Sequence, residues 1–581
     1  MTYQKIIACF EDIYGTTLEP GHLEALIEVL DTFKLPSEIP SSTLTANDAI
    51  LITYGDAIQS GEQSPLQTLR TFLETRVRQT INAVHLLPFF PYSSDDGFSV
   101  IDYTRVDPNL GDWEDIEDFA ASYDLMFDAV INHISVKSDW FEGFLSSQPP
   151  YDEYFITIAK DTDLSDVFRP RALPLLTKFD TVNGTRYVWT TFSKDQVDLN
   201  FHNPDVLIDI ARILLMFVER GARFIRLDAI AYIWKEIGTS CIHLEKTHRI
   251  VQFFRLIFDE LAPYVQIITE TNVPHGDNIF YFGDGTDEAQ LVYNFSLPPL
   301  VLHAFHHQNA TTLTRWAKSL ALPSSETSFF NFLASHDGVG VTPAKGLIPD
   351  EDIHELCRRI EALGGFVSYK NNADGTRSPY ELNISYLDAL GDPDHPDEPV
   401  ETVADRFLAS QSIMLALKGV PGVYYHSLLG SRGWREGVKK TGRNRTINRE
   451  KLALNNLLEE IDQQGSLRQC IFDGYLKMLG QRGGGAGQAF DPTGQQQLLE
   501  LDHRLFSVLR GSQDGNQWVL CVTNVTPGNV LVEISPAEFL KSVPNNWLTL
   551  LSRNSDFTQV DSRSSLHIGP YGVLWLFSKK G

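Results

Sequence analysis

Eight short apolar runs, each stopping at polar residues and separated by stretches of helical periodicity, constrain this chain more than any other feature. They lie at residues 49–53, 83–87, 125–131, 223–227, 265–269, 291–295, 329–334 and 420–425. Apolar residues occupy both odd and even positions of each run, interrupted by single polar residues and, at 223–227, by two arginines, so each strand is covered on both faces. Between them come amphipathic patterns, for example at 205–220 and 250–261. Eight strands alternating with helices predict an α/β protein built on a closed parallel (β/α)8 barrel of the TIM type.

The 581 residues exceed what such a barrel needs, and the remainder falls at recognisable places. Leu23, Leu26, Ile27 and Leu30 mark an amphipathic helix in an N-terminal helical extension, residues 1–44. The barrel is expected over 45–430. Long insertions at 134–189 and 338–401 follow strands three and seven, which places both at the mouth where barrel enzymes carry their chemistry. A glycine-rich stretch at 483–487 precedes alternating patterns at 505–509, 518–522 and 530–534. Residues 431–581 are therefore read as a linker and a C-terminal antiparallel β-domain.

Charge narrows the partners. With 48 basic and 75 acidic residues the net charge is −27, which repels nucleic acid and anionic membranes. The five cysteines are dispersed and lack CxxC spacing, so neither a disulfide framework nor a zinc site is expected. Residues 1–10 lack the apolar core and cleavage site of a secretory signal, and no apolar run is long enough to span a bilayer. A cytoplasmic protein acting on small molecules is the expectation. Any anionic substrate must then be met by arginines placed locally, against the overall field.

The residues that end the strands carry the chemistry. Strand three ends in Asp128, Asn132 and His133, strand four in Arg226 and Asp228, strand five in Glu270, and strand seven in His336 and Asp337. Three acids thus enter one mouth from strands four, five and seven. Two carboxylates about 5–5.5 Å apart are what a retaining glycosidase needs, one to attack and one to protonate the leaving oxygen. Arg226 and Asp228 are two residues apart, share a face of their strand, and so place a cation beside a carboxylate that must stay ionised.

At these residues the chain resembles the α-amylase family, glycoside hydrolase family 13. The matches are Asp128-Ala-Val-Ile-Asn132-His133, Arg226-Leu-Asp228, Glu270 and His336-Asp337. The resemblance implies that Asp228 is the nucleophile, Glu270 the general acid/base and Asp337 the carboxylate that steadies the distorted sugar. Some relatives bind calcium near the matched Asn132, but this sequence shows no complete ligand set, so no metal or other cofactor is expected. Where glycan-cleaving members have Lys-His on the aglycone side, this chain has Ala231 and Tyr232.

That departure resembles the sucrose phosphorylase branch of the family. So do His85-Leu-Leu-Pro-Phe-Phe-Pro, Asp95-Asp-Gly-Phe-Ser-Val-Ile-Asp102, Gly238-Thr-Ser-Cys241, Ser296-Leu-Pro-Pro-Leu300 and His336-Asp-Gly-Val-Gly340. The branch implies that Asp95, Phe98, His133 and His336 cradle the glucosyl ring, and that inorganic phosphate takes the glucosyl unit to give α-glucose 1-phosphate. Arg445, with Tyr232, matches the phosphate side. Arg169 and Arg171 in the first insertion, and Arg377 in the second, are further candidates, because the guanidinium fork suits phosphate and carboxylate. The loops at 169–177 and 374–383 resemble those of the longer members, glucosylglycerate phosphorylases first. Glucosylglycerate is thus the expected donor, with sucrose and sucrose 6′-phosphate as alternatives. A plain α-glucoside hydrolase and a catalytically silent barrel are more distant readings.

Overall fold

The computed structural model describes residues 3–36, 39–171, 173–372, 376–395, 397–484, 486–534, 546–560 and 563–580. Eight strands close into a parallel barrel whose spatial order is their order in the chain. They are Ile50–Thr53, Ala83–Leu86, Asp124–Ala129, Ala222–Leu227, Gln266–Thr269, Leu291–Tyr293, Ser328–Phe332 and Val420–Tyr424. Each coincides with one of the apolar runs. The first strand pairs with both the second and the last, Ile50 opposite Ala83 on one side and Gly422 on the other, so no edge is left open.

The floor of the barrel is closed by charge. Arg223, at the start of strand four, donates to Asp48 at 2.7 Å and to Asp124 at 2.8 Å, with all but Asp124 buried. Such a pair, cut off from water, resists loss of either partner more than it adds to stability.

The N-terminal helices Gln4–Tyr14 and Pro20–Thr32 lie on the outer ring. Phe10 is fully buried, its ring centroid 5.6 Å from that of Phe253 in the helix Glu245–Leu261. The second helix starts at a capping box, in which Glu19 and His22 satisfy each other's backbone amides and Pro20 pre-sets the first turn.

The helix that completes the ring is Leu467–Gly483, inside the segment read from sequence as linker. Phe472 meets Phe72 of the first barrel helix at 6.5 Å, and the buried Arg482 donates to the carbonyls of Ala46, Leu415 and Gly419. The glycines after it therefore begin where the ring has closed. Gly485 lies outside the described residues.

Beyond them an antiparallel sheet runs in the order Gln495–Leu499, Leu505–Gly511, Gln517–Asn524, Arg563–Lys579, Val530–Ile534, with Leu548–Val560 also on Arg563–Lys579. Its side chains alternate between two apolar faces. Phe506, Val508, Val519, Cys521, Val573 and Trp575 join the core shared with the barrel. Leu505, Leu509, Leu520, Val522, Leu574 and Leu576 form a second core on the far side.

Both insertions stand at the mouth. The first carries the helix Asp139–Leu145 and the hairpin Leu176–Thr181/Gly184–Trp189. The second carries the helix Asp350–Ala362 and a three-stranded sheet with Arg377–Asn383 in the middle. Gly340, in the short strand Val339–Gly340 at the sheet's edge, lets this insertion approach strand five. A Cβ there would lie 2.5 Å from the Asn272 side chain.

Candidate active site

Asp228 leaves strand four with its carboxylate on Arg226 at 2.7 Å, and the same guanidinium nitrogen also donates to Asp128. Asp128 is itself held by His85 Nε2 at 2.7 Å. Burial by itself would raise Asp128, but Arg226 and His85 bring it down to about 2. A permanently ionised Asp128 thus anchors Arg226, and Arg226 anchors Asp228.

After Asp228 the backbone turns left-handed at Ala229, φ 48°. That strained residue aims its N–H at Glu270 Oε2, 3.0 Å away. Burial, with Asp228 and Asp337 nearby, pushes Glu270 up to about 7 against the pull of Arg226. Burial pushes Asp228 up as well, but Arg226 is hydrogen-bonded to it at 2.7 Å and comes no nearer than 4.0 Å to Glu270. Of the two adjacent carboxyls, Glu270 keeps the proton and Asp228 carries the charge.

Strand seven brings His336 and Asp337. His336 stacks on Phe98, centroids 4.6 Å apart, and burial drops its pKa to about 3, so the ring is neutral. Its buried Nδ1 has no hydrogen-bond partner among the described residues. Burial alone would raise Asp337, yet Arg445, His336 and Arg449 hold its carboxyl well below the usual range. His133 Nε2 lies 2.9 Å from the carbonyl of Phe98.

One pocket is lined by Asp95, Phe98, His133, Asp228, Tyr232, Glu270, His336, Asp337, Arg171 and Arg445, with Arg226 beneath it. Tyr232 is kept protonated by burial and packs edge-on against Phe192. Arg169 is not brought there; its guanidinium points back to the Leu164 carbonyl at 3.5 Å. Arg377 is exposed and does not line the pocket.

Arg445 does not stand free to receive an anion. It bonds Asp337 at 2.5 Å and grips Glu381 through two nitrogens at 3.1 and 2.6 Å. Arg449 is likewise taken, by Asp95 at 3.2 Å, Asp96 at 2.6 Å and Asp337 at 3.3 Å. Arg171 forms no ion pair among the described residues and lies over the Tyr380 ring at 5.9 Å.

Glu381 and Tyr380, on the central strand of the second insertion, and Phe192, Gln196 and Asn272 escaped sequence reasoning. Tyr380 and Glu381 lie inside the loop noted at 374–383, part of which is outside the described residues, and adjacent positions of a hairpin give no sign of which reaches the site. Asn132 does not fit a divalent ion, because the Lys235 ammonium binds it at 2.8 Å and Asp198 at 2.6 Å.

Residues 78–342 match the model of the α-amylase catalytic domain. The chain is 49% identical to a glucosylglycerate phosphorylase of Spirochaeta thermophila, covering 97% of each. It is 43% identical to a glucosylglycerate phosphorylase of Escherichia coli, covering 99% of this chain and 100% of that one. The chain belongs to the α-amylase family, in its sucrose phosphorylase-like branch. A sucrose phosphorylase of Agrobacterium vitis in the same branch is 32% identical over 69% of this chain and 82% of its own. The crystal structure of the sucrose 6F-phosphate phosphorylase from Thermoanaerobacter thermosaccharolyticum superposes with a TM-score of 0.71 at 27% identity, over 84% of this chain and 95% of that one.

For a family member with this pair, pH dependence follows from Glu270. If it must be protonated to expel an alkoxide leaving group, kcat/KM for glucoside cleavage falls as pH rises through about 7. With α-glucose 1-phosphate as donor the leaving group is already stable as an anion, so the alkaline fall is shallower. Coincident profiles for the two donors would contradict an acid role for Glu270.

Proposed function

We propose that the protein is a retaining glucosylglycerate phosphorylase, with Asp228 as nucleophile and Glu270 as acid/base. The observation that carries the donor assignment is the near full-length identity to glucosylglycerate phosphorylases. The geometry supports it through Arg171, a pocket cation without a carboxylate partner among the described residues, suited to a small anion.

In this reading an Asp228 oxygen attacks the anomeric carbon while Glu270 passes its proton to the departing glycerate oxygen. A β-glucosyl ester on Asp228 results. Hydrogen phosphate then attacks the same carbon, the ester bond breaks, and the phosphate proton returns to Glu270. Two inversions give α-glucose 1-phosphate. Asp95, Phe98, His133 and His336 hold the glucosyl ring, and ionised Asp337 steadies the positive charge that develops on it. Tyr232 donates a hydrogen bond on the acceptor side. Arg171 meets glycerate and phosphate in turn. Arg445 shapes the same side by keeping Asp337 and Glu381 in place. None of these steps calls for a metal or other cofactor.

The partners are then a small α-glucoside and inorganic phosphate. A net charge of −27 and five free thiols support a cytoplasmic protein without nucleic-acid or membrane partners. Among the described residues no helix is long and apolar enough to cross a membrane.

The test is an acceptor screen with α-glucose 1-phosphate against D-glycerate, glycerol, fructose and fructose 6-phosphate, following phosphate release. Glycerate is expected to be fastest. A faster rate with fructose or fructose 6-phosphate would overturn the donor assignment, and equal glucose release without any acceptor would make the protein a hydrolase.

Two arginine variants separate their roles. Losing a charge-assisted bond of about 1.5–3 kcal/mol costs roughly ten- to a hundredfold. Arg171→Ala is expected to show that loss in the KM for phosphate and for glycerate, while water-driven release of glucose is kept. Arg445→Ala releases Asp337 and Glu381 and is expected to lower hydrolysis as well as phosphorolysis. Unchanged anion KM values in Arg171→Ala would remove it from the anion site.

A further inference from the structure

Among the described residues, one group of three ligating side chains can share an ion: His303, His307 and Asp352, whose ligand atoms all lie within 4.8 Å of one another. His303 and His307 are one turn apart at the C-terminal end of the helix Leu297–His306, which follows strand six. Asp352 is in the first turn of Asp350–Ala362, in the insertion after strand seven. His303 Nε2 is 2.9 Å from Asp352 Oδ2, and the two imidazole centroids are 4.3 Å apart. None of the three lines the active-site pocket.

We propose that His303, His307 and Asp352 form a binding site for a divalent transition ion of the zinc type. Histidines four apart project from one face of a helix and can close on a single ion. The C-terminal end of that helix carries partial negative charge, which favours a cation. Two imidazoles and one carboxylate suit zinc, at about 2.0–2.2 Å, better than calcium or magnesium, which take oxygen ligands. Glu355, one turn after Asp352 on the same helix, adds negative charge beside His303. Nε2 of His303, which faces Asp352, takes the ion when the ring hydrogen sits on Nδ1. His307 is exposed and Asp352 is a quarter exposed, so an ion reaches the site from solvent. The ion would clamp a barrel helix to the insertion that brings Tyr380 and Glu381 to the pocket. The proposal does not depend on the reaction assigned above.

The experiment is calorimetric titration of the full-length, chelator-treated protein with zinc chloride in a non-coordinating buffer, with thermal unfolding followed in parallel. The wild type is expected to bind one equivalent in the micromolar range and to melt at a higher temperature with zinc. His307→Ala and Asp352→Asn are each expected to weaken binding about tenfold or more and to lose the thermal shift. His307→Ala changes an exposed side chain, so its metal-free melting temperature and turnover should equal the wild type's. Cobalt added to the wild type should give a visible absorption band that this variant lacks. Absence of saturable zinc binding in the wild type, or equal binding by His307→Ala, would overturn the site.

Discussion

Asp228→Asn is expected to lower phosphorolysis by on the order of 10⁴- to 10⁶-fold, the scale seen when a covalent nucleophile is removed. Asparagine is nearly isosteric and still offers Arg226 a carbonyl oxygen, so the melting temperature should move by a few degrees at most. What is lost is the anionic oxygen that the Asp128–Arg226 pair holds toward the pocket. Steady-state rates on glucosylglycerate and on α-glucose 1-phosphate should fall together, because both donors pass through the same ester. Near-wild-type turnover of either donor would take the nucleophile's role from Asp228.

Glu270→Gln is expected to be selective rather than uniform. General acid catalysis contributes roughly 10²- to 10⁴-fold when the leaving group is a poor one. Glucosylglycerate, which leaves as an alkoxide, should lose that much. An α-glucosyl fluoride, whose leaving group needs little help, should form the glucosyl-enzyme within about tenfold of the wild-type rate. The fall in kcat/KM as pH rises through about 7 should vanish with the carboxyl that causes it. An equal loss on both donors, with the alkaline limb intact, would show that Glu270 acts through structure rather than as an acid.

The two variants differ because two carboxyls of the same pocket sit in different fields. Both are buried, but Asp228 has a guanidinium bonded to it, whereas Glu270 has a backbone N–H and the negative charge of its neighbours, with that guanidinium farther off. That difference assigns one to attack and the other to carry the proton.

Much of this was legible before any coordinates. A closed parallel barrel buries both faces of every strand, so its strands carry apolar residues on both faces, and the eight runs show that pattern around a few interior polar residues. Its chemistry must stand where the strands end, which singled out Arg226, Asp228, Glu270, His336 and Asp337 as a group. The helix at Leu467–Gly483 was not assigned to the ring. It follows strand eight only after a long excursion, and although Ile471, Tyr475, Met478 and Leu479 recur at helical spacing, that spacing does not say what the face packs on.

Local periodicity and burial are written into neighbouring residues, so the barrel, the order of its strands and the acids at their ends follow from the amino-acid order alone. Which arginine is free was decided only by the tertiary structure. Arg169 and Arg171 are separated by one proline, yet one turns back to a carbonyl of its own loop and the other reaches the pocket. Arg445 and Arg449 look equally available in the sequence, but carboxylates from segments far apart in the chain, Asp95, Asp96, Asp337 and Glu381, converge on them. Ion pairing at short range depends on where long side chains end in space, and sequence spacing holds no information about that.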